Sequence, residues 1–457
     1  MKKILFFSWL LLIMSLFAAC NDDDQPEPDT EQDPEEFYGE AFDKMPDLND
    51  MVIYEANERV FAANNSFKAI TARLDKIKSL GVNVLWLMPV NKQGEEQAIG
   101  SPYCIQDYLE TEPEYGTLDD LRELVAEAHK KEIAVILDWV ANHTSWDNDW
   151  LKINKDWYTQ DANGNVVPPA GTNWTDVADL NYNNRDMRAE MISAMKYWIR
   201  EANVDGFRCD AADWIPTDFW RDATYELKNL QAGRNVLMLA EGTDPKNLQA
   251  GFDLDYSWNF CDVLEGLYQG SKSIADLYET HRTEFTLIPQ AKQKLRFTTN
   301  HDRASENSPV QLFKGQQGAL SAYVISTTLG GVPLIYSSQE TGYQTAVNFF
   351  SHVAVNWDSN PDIFQAYQKI MEVYHASEAL KTGVLETFAD EKVVCFTRSI
   401  DNDNTLVIVN TRNSESSFSL PQTLASGTRK NLMNGTSVSM AGTMNLSPYQ
   451  FYLLKKE

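Results

Sequence analysis

The chain has 457 residues, 43% of them hydrophobic, enough for a large core and more than one ordinary domain. Its formal net charge of −27 argues against a nucleic-acid partner, because phosphate binding needs basic patches, and is compatible with a neutral substrate. The 12 Trp and 19 Tyr serve equally as core material and as platforms for sugar faces.

The first element is a leader. Lys2 and Lys3 precede an apolar run, Ile4 to Phe17, that is too short to span a bilayer comfortably. Ala18-Ala19-Cys20 then resembles a bacterial lipoprotein signal, with residues 1–20 as the signal peptide and Cys20 as the lipidated residue; a plain cleaved secretory peptide is the alternative. Asn21-Asp22-Asp23-Asp24 and the Pro, Glu, Gln and Asp residues to about Glu36 read as a solvated acidic tether, set at 21–45. Acidic residues directly after the cysteine resemble the surface-export signal of Bacteroidetes lipoproteins. The expected location is the outer membrane, exposed at the cell surface. The lipid anchor is then the only membrane contact, and a surface glycan-uptake complex is a candidate partner. Cys104, Cys209, Cys261 and Cys395 show no metal spacing and read as buried free thiols.

From Asp50 onward, strand-like runs alternate with helical patterns. Met51–Tyr54, Val82–Pro89 and Ile133–Leu137 are strand candidates. Phe67–Leu80, Thr117–Lys131 and Arg185–Ala202 carry apolar stripes at helical spacing, and Thr117 with Asp120 forms a capping-box pattern. Later strands are expected near Val204, Val236, Asp262, Leu295 and Val332. This rhythm predicts an α/β chain built as a (β/α)8 TIM barrel over 46–143 and 185–378. Between them, 144–184 is rich in Asn, Asp, Pro, Gly and Trp and reads as a short excursion after the third strand. Short β runs separated by polar turns predict a C-terminal antiparallel β-sandwich over 379–457.

Several predicted strands end in chemistry-bearing residues. The third closes in Asp138-Trp139-Val140-Ala141-Asn142-His143, and the fourth reads Gly206-Phe207-Arg208-Cys209-Asp210. The fifth, Val236 to Ala240, stops at Glu241, and the seventh leads into Thr299-Asn300-His301-Asp302. Carboxylates at the C-terminal ends of barrel strands suit glycosidic bond cleavage, which needs an acid for the leaving oxygen and a carboxylate to meet the anomeric centre. Arg208 and Asp210 leave one face of a strand, so the guanidinium is expected to keep Asp210 ionised. Glu241 follows a wholly apolar run, so desolvation is expected to keep it protonated.

In this order the segments resemble the signatures of the α-amylase family, glycoside hydrolase family 13. Gly81–Val90, Tyr103 with Asp107 and Tyr108, Asp179-Leu180-Asn181, and Gly331–Tyr336 followed by Gln339-Glu340 extend the likeness over roughly 50–457. The resemblance implies Asp210 as nucleophile, Glu241 as general acid/base and Asp302 as transition-state stabiliser. It also implies Tyr103, His143, Arg208 and His301 as substrate-binding residues. Where many relatives have Lys-His after the nucleophile, this chain has Asp213-Trp214, and Trp214 is a candidate stacking face on the leaving-group side. No cofactor is needed for the chemistry. A structural Ca2+ is a further expectation, with Asn142 as its candidate ligand and the polar turn holding Asp161, Asn163 and Asn165 as a second candidate site, a solvated turn being the alternative. The expected function is retaining hydrolysis of α-1,4-linked glucans such as starch and maltooligosaccharides. Alternatives are a same-family α-1,6-glucosidase, a neopullulanase or cyclomaltodextrinase, a transglucosidase, or a non-catalytic surface glycan-binding protein.

Overall fold

In the computed structural model, which describes residues 36–456, eight short parallel strands close into a barrel. They are β1 (Ile53–Ala56), β2 (Val84–Leu87), β3 (Ala134–Trp139), β4 (Gly206–Cys209), β5 (Leu237–Ala240), β6 (Leu254–Tyr256), β7 (Gln293–Arg296) and β8 (Val332–Tyr336). Each pairs with its sequence neighbours, and β1 pairs with β8 to complete the ring. The leader and Cys20 lie outside the described residues.

The barrel interior follows the period-two geometry of strands. Ile53, Val84, Trp86, Ala134, Ile136, Leu237, Leu239, Leu254, Tyr256, Leu295 and Leu334 form one inner apolar cluster. The alternate residues, among them Tyr54, Leu85, Val135, Phe207 and Met238, belong to the outer core beneath the helices. Those helices form for local reasons. The helix Leu118–Lys130 starts on a complete capping box between Thr117 and Asp120 and buries Leu121, Leu124 and Ala128. The helix Arg185–Ala202 buries Met187, Met191, Met195 and Trp198, so its methionine stripe is core. All four cysteines in the described residues are free and buried.

Two expectations need correction. The sixth strand is Leu254–Tyr256, and Asp262 lies in the helix Trp258–Gln269. The strand is three residues long, and its centre, Asp255, is buried and paired with Lys294 of β7 at 2.8 Å. A buried ion pair on the outward face of the barrel, at the positions alternate to Leu254, Tyr256 and Leu295, interrupts the apolar signature by which a parallel strand is read. The acidic tether also ends before residue 45. Phe42 is buried in the inner barrel cluster, with Met45 and Leu48 packed beside it, and it stacks on His129 at 4.4 Å. These apolar residues anchor the chain entering β1.

Between β3 and the helix Arg185–Ala202, the segment carries a two-stranded ribbon, His143–Ser145 with Val177–Asp179, and a short helix, Asp149–Ile153. After the barrel, a six-stranded antiparallel sheet and a two-stranded ribbon share one core that includes Val393, Leu406, Phe418, Leu446 and Leu454. No helix among the described residues is long and apolar enough to cross a membrane.

Candidate active site

In four strands the inward series ends in a carboxylate at the C-terminal mouth. Ile53 is followed two residues later by Glu55, Ile136 by Asp138, Arg208 by Asp210, and Leu239 by Glu241. Strand pairing sets Asp138 directly beside Arg208. Gly206 opens β4 at φ 150°, where a Cβ would stand 1.9 Å from the Leu237 carbonyl oxygen, so only glycine lets β4 and β5 approach this closely.

Arg208 is the centre of the cluster and has no exposed surface. Its Nη1 donates to Asp138 Oδ1 at 2.8 Å and lies 3.2 Å from Asp210 Oδ1; its Nε donates to Tyr256 Oη at 3.2 Å. Nη2 stands 3.1 Å from Glu241 Oε2 but lacks hydrogen-bond alignment, so that contact is an ion pair. The guanidinium also faces the Trp86 ring at 5.0 Å. Arg208, expected among the substrate-binding residues, therefore lies beneath the acids and does not line the cleft. It reaches a substrate only through the carboxylates it holds.

Above it opens a cleft of about 210 Å³ lined by Tyr103, His143, Asp210, Glu241, His301 and Asp302, with Trp174, Asp176 and Phe349 among the remaining wall. Ala211, directly after Asp210, takes a left-handed conformation at φ 46°. Its N–H donates to Glu241 Oε2 at 2.8 Å. Asp213 fixes the segment after Glu241. Its carboxylate accepts from Thr243 N–H at 2.8 Å and from Asn247 Nδ2 at 2.6 Å. A Cβ on Gly242 would lie 2.2 Å from Asp213 Oδ1, so that clamp requires the glycine.

The charges divide the groups into distinct roles. Burial pushes Asp210 well above the usual carboxylate range and Glu241 adds to the push, while Arg208 opposes both. The expectation that the Arg208 guanidinium keeps Asp210 ionised is not met: burial and Glu241 outweigh it. Asp302 behaves oppositely. Burial raises it, but His301, with smaller help from Arg208 and Asn300, holds it down at about 2. Burial lowers His143 to about 4, against a backbone hydrogen bond at Tyr103, so it is a neutral imidazole near pH 7.

Tyr103 stacks on His301 with ring centroids 5.3 Å apart and donates its hydroxyl to Asp138 Oδ2 at 3.0 Å. At the mouth, Trp214 is 53% exposed and stacks on Trp174 at 5.2 Å, and Trp174 meets His143 at 5.4 Å. The two indoles form an aromatic wall between the excursion and the loop after β4. The sequence reading missed Trp174, Glu55 and the partnership of Asp138 with Arg208. The last two were detectable, since each acid lies two residues beyond an inward apolar position; Trp174 lies in an irregular segment that offers no period.

Neither candidate calcium position gathers a cluster of acidic donors among the described residues. Asn142 turns its amide nitrogen on His143 Nδ1 at 3.3 Å. The Asp161 carboxylate is taken by its own turn, accepting from Asn163 N, Asn165 N and Asn165 Nδ2. No group of three or more His, Cys, Asp or Glu among the described residues is placed to hold a metal ion, whereas Ca2+ requires about 6–8 oxygen ligands.

Residues 55–392 match the family model "Alpha amylase, catalytic domain". A "Beta/alpha-amylase" of Paenibacillus polymyxa is 29% identical over 419 residues, covering 83% of this chain. The chain spans only 33% of that relative's length. "Alpha-amylase 2" of Dictyoglomus thermophilum is 24% identical over 85% of this chain and 70% of its own. Among solved structures, a noncanonic maltogenic α-amylase from Thermotoga neapolitana superposes with a TM-score of 0.81 at 26% identity, covering 90% of this chain and 99% of that one.

Proposed function

The chain belongs to the α-amylase family and is a glycoside hydrolase, and from that premise we propose that it cleaves α-1,4-linked glucans with retention at the anomeric carbon. The observation that carries the reading is the Arg208 guanidinium, which brings Asp210 and Glu241 to one floor while Asp302 faces the same cleft.

In the proposed reaction, Glu241 gives a proton to the glycosidic oxygen as the bond to C1 breaks. Asp210 forms a bond to C1 from the opposite side. Water then attacks C1, Glu241 takes its proton, and the bond to Asp210 breaks, so the product keeps the α configuration. Asp302, ionised beside His301, would hold sugar hydroxyls as positive charge develops at the ring. Tyr103 offers a face to the sugar at the cleavage point, and Trp214 with Trp174 offers one on the leaving-group side.

The nearest alternative within the family is action on other linkages or ring-closed dextrins, or glucosyl transfer. It is kept open by Asp213-Trp214 standing where many relatives have Lys-His. Incubation with maltoheptaose, cyclodextrin, pullulan and isomaltose separates these. The proposal expects maltoheptaose to be cut fastest, and a clear preference for isomaltose would overturn it. A non-catalytic binding role predicts binding with no reducing ends released.

The N-terminal residues support a lipid-anchored, outer-membrane placement at the cell surface. Metabolic labelling with a palmitate analogue should mark the full-length chain and be lost in Cys20→Ala. Equal labelling of both would remove the anchor.

A further inference from the structure

Glu55 lies at the end of β1, fully buried, and touches no substrate-facing surface. Its Oε1 sits 2.5 Å from His301 Nδ1, and the same oxygen faces the His301 backbone N–H at 3.4 Å. Its Oε2 has no hydrogen-bond partner among the described residues. The far side of the ring is equally constrained. Nε2 lies 2.8 Å from Tyr103 Oη and 3.3 Å from Asp302 Oδ1. Tyr103 spends its hydroxyl proton on Asp138, so its oxygen is left to accept. Both ring nitrogens therefore point at acceptors, and the arrangement is satisfied only when both carry protons. His143, the other histidine in the cleft, has no carboxylate at hydrogen-bond distance among the described residues.

We propose that Glu55 is a positioning residue that keeps His301 doubly protonated, so that the site presents a fixed cation beside Asp302 to the sugar being cleaved. This deepens the proposed function and rests on its reading of Asp302 and His301 as sugar contacts. The groups that face His301 are Glu55 from β1, Tyr103 from the loop after β2 and Asp302 from its own helix, with Trp86 and Phe349 as uncharged walls at 6.0 and 5.3 Å. Asp138 and Arg208 lie one contact further out. The direction of the charges agrees. Burial pushes the imidazole down, but Asp302 and Glu55 outweigh it and hold His301 well above the ordinary histidine range.

The test is Glu55→Gln in the full chain, with Glu55→Asp beside it. Glutamine keeps the size and one acceptor but removes the charge; aspartate keeps the charge. Losing the anion lowers the pH at which His301 deprotonates. Above that pH Asp302 loses its cation and turnover falls. The alkaline limb of kcat should therefore move to lower pH by about one unit or more in Glu55→Gln and stay near the parent in Glu55→Asp, with KM changed less than kcat. Ring-nitrogen NMR of the 15N-histidine-labelled protein should show His301 as imidazolium at pH 7 in the parent and neutral at a lower pH in Glu55→Gln. A neutral His301 in the parent overturns the inference. So does an unmoved alkaline limb in Glu55→Gln, even with lowered stability, because that marks a packing role. If Glu55→Gln does not fold, the parent NMR titration and Glu55→Asp decide alone. Full activity in Asp302→Asn would instead sink the site reading, independently of Glu55.

Discussion

Soluble-starch hydrolysis is expected to fall by at least about 10⁴-fold in Asp210→Asn, which corresponds to about 5.5 kcal/mol of lost transition-state stabilisation. The fold should be unharmed. Burial and Glu241 both disfavour the ionised Asp210 carboxylate, so a neutral amide of the same shape removes a cost, while Arg208 keeps Asp138 and Glu241 as partners. Thermal unfolding at or slightly above the parent temperature, with activity gone, is the expected pair of results. Glu241→Gln should lose starch hydrolysis to a similar degree but recover in part on aryl maltosides with good leaving groups, since those need little proton assistance. Substantial starch hydrolysis by either variant would remove the assignment.

Arg208→Leu should be damaging in both respects. Arg208 is the only cation shown in contact with Asp138, Asp210 and Glu241 among the described residues, and all three contacts lie in a buried site. Removing one partner of a buried charge cluster costs about 3–5 kcal/mol, because the remaining charges keep their desolvation cost without compensation. Chemical denaturation should show a loss of that size, alongside activity below detection. Arg208→Lys should not rescue it, since an ammonium cannot place fixed donors on Asp138, Asp210 and Tyr256 together. Unchanged stability in Arg208→Leu would mean that the acids are held by something else.

The same period-two rule explains what the sequence disclosed. β3 and β5 are apolar up to Asp138 and Glu241, and β4 carries a single charge, Arg208, before Asp210, so the strand and the acid announce each other. β6 fails that test because Asp255 sits in its centre, and nothing local reveals that Lys294 of β7 neutralises it. Glu55 is the instructive case. It follows an apolar run just as Glu241 does, yet its meaning depends on His301, 246 positions away. Arg208 was legible as the neighbour of Asp210 but not as a residue without surface, because burial depends on Trp86, Tyr103 and Tyr256 converging from other strands and loops. Trp174 meets Trp214 only through an irregular loop.

The central claim is that Asp210 bonds to the anomeric carbon of a sugar placed between Glu241 and Asp302. A fluorinated maltosyl fluoride that slows deglycosylation, followed by proteolysis and mass spectrometry, tests it directly. The account predicts a glycosylated peptide whose modification maps to Asp210; a label on another residue, or turnover with an inverted product and no label, would contradict it.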